Sequence, residues 1–166
     1  MKKNQKIALL GITVSIAIVL SYIEAIIPSF VPIPGVKIGL ANIAIMFILY
    51  KLDLLSASIV SAVRLATVFL LFGGLIPLLY SIAGAVLSLS VMYVFKRFTP
   101  FSEIGVSVAG GVSHNIAQII VAIFMFSTGS LIYYLPVLLL SGTLSGVLIG
   151  IISGIIIKKI KLIKEK

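Results

Sequence analysis

Cysteine is absent from this 166-residue sequence, and histidine occurs once, as His114. Without cysteine the chain can form neither a disulfide framework nor a thiolate metal site. A single histidine also excludes a histidine-rich metal site. We therefore expect neither a structural metal nor a bound cofactor.

Acidic residues are also scarce: there are four, and Asp53 is the one aspartate. Magnesium-dependent chemistry on a prenyl diphosphate needs clustered carboxylates that hold the metal, and the sequence has no such cluster. It also lacks the G-x-x-x-x-G-K-[ST] loop that would bind ATP. These absences predict a protein that is not an enzyme.

Charged residues make up only 10% of the chain, whereas hydrophobic residues make up 61%. Soluble domains average about 25% charged and roughly 45–50% apolar residues. So few charges could not cover the surface of a water-soluble globule, which makes the bilayer the expected solvent. At this length we expect one all-α membrane domain over residues 1–166.

Turn residues and charges divide the apolar sequence into six predicted spans, near residues 7–27, 38–50, 54–72, 76–95, 104–126 and 135–157. If both termini are cytoplasmic, eleven basic residues lie inside, Lys37 alone lies outside, and Arg64 lies within a span. This asymmetry predicts a multi-pass protein of the prokaryotic plasma membrane with both ends inside. It also explains the net charge of +9 without nucleic acid as a partner. The second span is short, and we expect it to be tilted or partly interfacial.

Polar residues inside the spans form the main candidate site. An arginine in mid-span, such as Arg64, is costly if it faces lipid, so it should face the bundle interior or a wet cavity. Because a helix turns by about 100° per residue, the polar residues of the fifth span fall on one face of that helix. Several of these groups fall in the outer half of the bundle, which predicts a pocket reached from outside. The predicted substrate-binding residues are Arg64, His114, Asn115, Gln118, Asn42, Tyr80, Glu24 and Lys37.

A second interpretation of the polar residues needs no ligand. Arg64 and Glu24 would form an ion pair, and the histidine and amides would only join helices to one another. If a ligand does bind, the excess of positive charge favours a carboxylate or phosphate on it.

Small residues form two further patterns. Gly142, Gly146, Gly150 and Gly154 recur every four residues in the last span, and such a ridge lets another helix approach closely. The ridge could pack within the bundle or against a partner. On the first span, Ala8, Gly11 and Ser15 lie on the side opposite Glu24. This small-residue face suits contact with another membrane subunit.

Several sequence stretches resemble a known family. They are residues 35–43 (GVKIGLANI), 72–74 (FGG), 80–88 (YSIAGAVLS), 105–118 (GVSVAGGVSHNIAQ) and 133–136 (YYLP). They resemble the Gx transporter family, whose members are often labelled heptaprenyl diphosphate synthase component I. That family is in turn similar to the substrate-binding S components of energy-coupling-factor (ECF) transporters.

The resemblance implies a six-helix membrane protein that captures a vitamin or similar micronutrient from outside. Such a protein docks on a transmembrane coupling subunit with two ATPases, and the small-residue face of the first span would be the docking surface. The usual docking motif is alanine-xxx-alanine, where this chain has Gly11-xxx-Ser15. Expected partners are therefore a small-molecule substrate, membrane lipid and that coupling subunit.

Two other functions stay open. Some members of the family are associated with quinone-linked extracellular electron transfer, so the chain could be a non-catalytic membrane partner in that process or in isoprenoid and quinone metabolism. It could also be a structural assembly subunit that associates through the glycine ridge. An outward-facing polar pocket favours transport, whereas an apolar groove open to lipid favours the isoprenoid hypothesis.

Overall fold

A computed structural model describes residues 3–26 and 39–160, and most of these residues are helical, with no strand among them. The helices are α1 (Lys3–Ile26), α2 (Asn42–Lys51), α3 (Leu54–Phe72), α4 (Leu75–Phe98), α5 (Glu103–Phe126) and α6 (Leu135–Lys159). A 3₁₀ helix, Gly129–Tyr134, runs directly into α6. The predicted all-α class is confirmed for the described part of the chain.

Five of these helices are long and apolar enough to cross a membrane: α1, α3, α4, α5 and the combined segment Gly129–Lys159. Each exceeds or approaches the roughly 20 residues that a bilayer core requires. Their outer surface is covered by large apolar side chains, including Leu70 and Phe124, both 81% exposed. Such a surface is stable in lipid and not in water. The chain is a multi-pass membrane protein.

Helix α2 differs from the other five. It has ten residues, which span about 15 Å, half the thickness of the hydrocarbon core. Every residue from Ile43 to Leu49 is buried, so α2 is surrounded by protein, in contact with α1, α3 and α6. A helix that is apolar on all sides is expected in such a central position.

The second predicted span, 38–50, is therefore shorter in the structure than in the sequence analysis. Gly39 has a φ of +78°, a left-handed conformation that does not continue a helix, and α2 begins only at Asn42. The count of six spans and the cytoplasmic location of both termini stay predictions.

Three polar contacts connect the starts of the odd-numbered helices and the ends of the even-numbered helices. Lys6 of α1 pairs with Asp53 before α3 at 2.8 Å. Lys96 near the end of α4 donates to the Leu49 carbonyl of α2 at 2.5 Å. Lys158 of α6 lies 3.9 Å from Glu103 at the start of α5. The starts of α1, α3 and α5 and the ends of α2, α4 and α6 thus share one end of the bundle, here called the basic end.

The glycine ridge of α6 packs against α5. A Cβ at Gly142 would lie 2.9 Å from the Gly111 carbonyl oxygen, and one at Gly146 would lie 2.7 Å from the Val108 Cα. At Gly150 the nearest atom would be the Ile104 Cα, at 2.6 Å. The two backbones therefore approach too closely for side chains at these positions. In the structure the ridge joins helices of the same bundle.

Candidate functional site

A cavity of about 280 Å³ lies between the helices. Its lining includes Glu24 and Ala25 at the end of α1, Asn42 at the start of α2, and Gly73 and Gly74 between α3 and α4. These residues lie at the end of the bundle opposite the basic end. The cavity is close to the lower size limit of small-molecule sites, which is roughly 300 Å³.

Arg64 lines this cavity from the middle of α3. Its Nε is buried and has no hydrogen-bond partner among the described residues. Glu24 is the acidic group that acts on it electrostatically, but no ion pair within 4 Å joins the two side chains in the described part of the chain. The predicted Arg64–Glu24 pair is therefore not formed in this structure.

Glu24 instead contacts the turn before α2. Its Oε1 accepts a hydrogen bond from the Gly39 backbone N–H, which ties the end of α1 to the start of α2. Asn42 lines the cavity beside this turn, and its amide nitrogen would lie 3.2 Å from a Cβ at Gly39. A glycine at position 39 thus allows both the positive φ and the close approach of Asn42.

His114 reaches the cavity from α5 and packs against Gly84 of α4. A Cβ at Gly84 would lie 2.5 Å from Cε1 of the imidazole and 2.7 Å from both ring nitrogens. The ring therefore occupies the space that any larger residue at position 84 would need. This contact fixes the ring between α4 and the cavity.

The two amides of α5 differ in their partners. Asn115 donates from Nδ2 to the Leu138 carbonyl at 2.6 Å and to Ser141 Oγ at 3.3 Å. It lines the cavity but serves chiefly to join α5 to α6. Gln118 Oε1 is buried, lines the same cavity and has no hydrogen-bond partner among the described residues.

One predicted site residue, Tyr80, is not brought to the cavity. Tyr80 is half-buried but is not part of the lining, whereas its neighbour Ser81 is. At about 100° per residue, Tyr80 projects to one side of the α4 face that carries Gly74, Pro77 and Ser81. Lys37 lies outside the described residues.

Apolar lining residues were missed by the sequence analysis. They are Leu65, Val68, Phe69 and Phe72 of α3, Pro77 and Leu78 of α4, and the thioethers Met46 and Met92. The α3 residues follow Arg64 at helical spacing, so the face that carries the arginine already contained the signal. Cavity-facing apolar residues cannot otherwise be told from core residues in the sequence.

The small-residue face of α1 lies on the surface of the bundle. Ala8, Gly11 and Ser15 are exposed, and a Cβ at Gly11 would meet no atom within 4 Å. Buried Thr13, Ala17 and Ser21 form the opposite side of the helix.

Acidic residues do not gather at the cavity. Within residues 3–26 and 39–160, no three His, Asp or Glu side chains come close enough to hold a metal ion.

Comparison with known proteins gives one match. Residues 13–156 match the family model of heptaprenyl diphosphate synthase component I, whereas no curated protein and no solved structure matches the chain. The matched segment runs from near the middle of α1 almost to the end of α6. It includes all five sequence stretches on which the predicted family resemblance rested. The chain therefore belongs to the heptaprenyl diphosphate synthase component I family.

Proposed function

We propose that this protein is the substrate-binding membrane subunit of a transporter, similar to an S component, and that it captures a small vitamin-like or anionic micronutrient. The observation that carries the proposal is Arg64, a cation in the cavity lining whose buried Nε has no hydrogen-bond partner among the described residues. A buried polar atom without a hydrogen bond is costly. A bound anion would remove that cost.

The alternative in which polar groups only join helices explains fewer of the contacts. Asn115 fits it, because its amide donates to α6. Arg64 and Gln118 do not, because each keeps a buried polar atom without a partner in the described part of the chain. Buried polar groups in proteins are nearly always hydrogen-bonded, so these two atoms favour a ligand.

In this proposal Arg64 binds the anionic group, and Gln118 and Asn42 complete the polar part of the site. His114 forms one wall. The cavity reaches the bundle end opposite the basic end. With the basic end in the cytoplasm, as the positive-inside rule predicts, the ligand would enter from outside a prokaryotic plasma membrane.

Transport also requires an energy source, and the sequence has no ATP-binding loop of its own. We propose that a transmembrane coupling subunit with ATPases contacts the face formed by Ala8, Gly11 and Ser15. Its exposure on the bundle surface supports this assignment. The protein itself would bind its ligand and catalyse no reaction.

The family name favours a second function. A family called heptaprenyl diphosphate synthase component I suggests a non-catalytic partner in isoprenoid or quinone metabolism. Such a partner would present a lipidic substrate or hold a membrane enzyme. A lipidic substrate would require a cavity with a broad apolar side opening, whereas the cavity here has Arg64, Gln118 and Glu24 in its lining.

Native mass spectrometry of the purified protein tests the proposal. Wild type should retain a small molecule that is lost in Arg64→Gln, while Arg97→Gln should retain it, because Arg97 is exposed and lies outside the cavity. Recovery with an ATPase-containing module would favour transport, and recovery with a prenyl-transferring enzyme would favour the second function. A wild-type protein that never carries a small molecule would contradict the proposal.

A further inference from the structure

The charges in the cavity lining limit the charge of its ligand. Among the described lining residues, Arg64 is the one permanent cation and Glu24 the one carboxylate. Their charges sum to zero. A ligand of net charge 0 would therefore leave the site neutral, and a ligand of charge −1 would leave a single negative charge shared with Arg64. A ligand of charge −2 or lower would leave buried negative charge without compensation, which is strongly unfavourable.

The charged residues of the lining also indicate which kind of anion binds. One planar guanidinium matches one carboxylate in a bidentate pair. A diphosphate would need additional cations or a metal ion, as in phosphate sites generally. The described residues provide no further permanent cation in the lining and no cluster of three metal-ligating side chains.

The acceptors in the cavity require donors on the ligand. Gln118 Oε1 is buried and accepts no hydrogen bond from a described residue. Of the two carboxylate oxygens of Glu24, Oε1 accepts from the Gly39 N–H, and no hydrogen bond to Oε2 is formed within the described residues. A ligand without N–H or O–H groups would leave these acceptors unpaired, at a cost comparable to a lost hydrogen bond.

We propose that the ligand is a zwitterion, or a monocarboxylate with N–H or O–H donors, of net charge 0 or −1, and that a prenyl diphosphate does not bind here. Its carboxylate pairs with Arg64, and its donors meet Glu24 and Gln118. Its apolar part lies against Phe69, Phe72 and Leu78 of the same cavity. This inference rests on the proposed function and specifies the ligand class of that site.

The test is a binding screen of the full chain in nanodiscs, in which thermal stabilisation by small metabolites is compared between charge classes. Matched probes in the set are L-phenylalanine, 3-phenylpropionate, 2-phenylethylamine and geranyl diphosphate, which separate the carboxylate, the donor and the diphosphate. Compounds that stabilise the protein should carry one carboxylate and at least one donor. Each should bind roughly ten- to a hundredfold more tightly than its analogue without the donor.

Variants assign the selectivity to the named residues. In Glu24→Gln, the best zwitterion should bind roughly tenfold or more weakly, while its analogue without the amine changes less than about threefold. Glu103→Gln, the same substitution at the basic end, should leave the affinities for both compounds unchanged. If Glu24→Gln is poorly folded, Gln118→Leu can replace it. Binding of the ligand with and without its donor group is then compared in that variant.

The possible outcomes separate the inference from the proposed function. Tight binding of geranyl diphosphate, or equal binding of acids with and without a donor, would overturn the ligand class while leaving a binding protein. A screen in which no compound stabilises the wild-type protein would count against both.

Discussion

The imidazole of His114 lies against the α-carbon of Gly84, so that a Cβ at position 84 would come within 2.5 Å of Cε1. The two ring nitrogens, which flank Cε1, would lie 2.7 Å from the same Cβ, so this edge of the ring covers the glycine. The contact determines how close α4 and α5 are at the depth of the cavity. Gly84 has no side chain that could bind a ligand, but through this contact it positions His114 of the proposed site.

Gly84→Ala should therefore lower the stability of the bundle by about 1–3 kcal/mol, the usual cost of an extra methyl group in a filled core. It should also weaken ligand retention, because the ring must move. The measurement is thermal unfolding in detergent combined with native mass spectrometry. In a His114→Ala background the same substitution should cost much less, because the clashing ring is gone. Equal costs in both backgrounds would show that the ring contact is not the cause.

The glycine ridge of α6 offers a matched pair of substitutions. A Cβ at Gly146 would lie 2.7 Å from the Val108 Cα and 3.0 Å from the Ser107 carbonyl oxygen, both backbone atoms, whereas at Gly154 the nearest atom is 3.7 Å away. Gly146→Ala should separate α5 from α6 and cost about 1–3 kcal/mol. Gly154→Ala should be neutral, or stabilise α6 by up to about 1 kcal/mol through helix propensity. Thermal unfolding of both variants tests this, and equal destabilisation would contradict the assigned packing.

Much of the fold could be predicted from the sequence because lipid imposes simple rules on it. Five long helices agree with predicted spans to within a few residues, since long apolar runs that end in charges or glycine leave few alternatives. Helix α2 was less predictable. Whether a ten-residue apolar helix lies in protein or reaches lipid depends on its neighbours, and only the structure shows that Ile43–Leu49 is buried on every side.

The site was predictable in part. Helical spacing placed Arg64, His114 and Gln118 on interior faces, and the structure brings all three to one cavity. Depth alone placed Tyr80 there, but its direction around α4 takes it away from the lining. Asn115 and Gln118 looked equivalent in the sequence. They differ because Asn115 faces the Leu138 carbonyl of α6, a contact between two helices that spacing within one helix does not reveal.

Asp53 predicts how stability depends on pH. Hydrogen bonds from Lys6 and then from the Ser56 backbone N–H lower the pKa of Asp53 from 3.8 to about 2. Because the folded-state pKa lies below the unfolded one, this contribution is complete above pH 3.8 and is lost as the pH falls towards about 2. The carboxylate is 48% exposed, so solvent screening should keep the ion pair below about 1 kcal/mol.

The test compares wild type with Asp53→Ala by unfolding in a non-ionic detergent at pH 6 and pH 2.5. The difference in stability between wild type and Asp53→Ala should be larger at pH 6 than at pH 2.5. Lys6→Met should lose only the ion-pair part and keep the helix cap, which contributes about 1 kcal/mol. If this stability difference did not change with pH, the Asp53 carboxylate would not form the contacts with Lys6 and Ser56 that lower its pKa.

The final prediction separates helix packing from ligand binding on one face of α5. Asn115→Ala removes the donor to Leu138 and Ser141, and hydrogen bonds between membrane helices contribute roughly 0.6–2 kcal/mol. It should lower the unfolding temperature of the ligand-free protein. Gln118→Leu removes a buried acceptor that has no partner among the described residues, so the ligand-free protein should be as stable as wild type or more so. Ligand retention should fall in Gln118→Leu even though stability does not. If instead Gln118→Leu destabilised the ligand-free bundle as much as Asn115→Ala, Gln118 would belong to the helix packing and would not be an acceptor for the ligand.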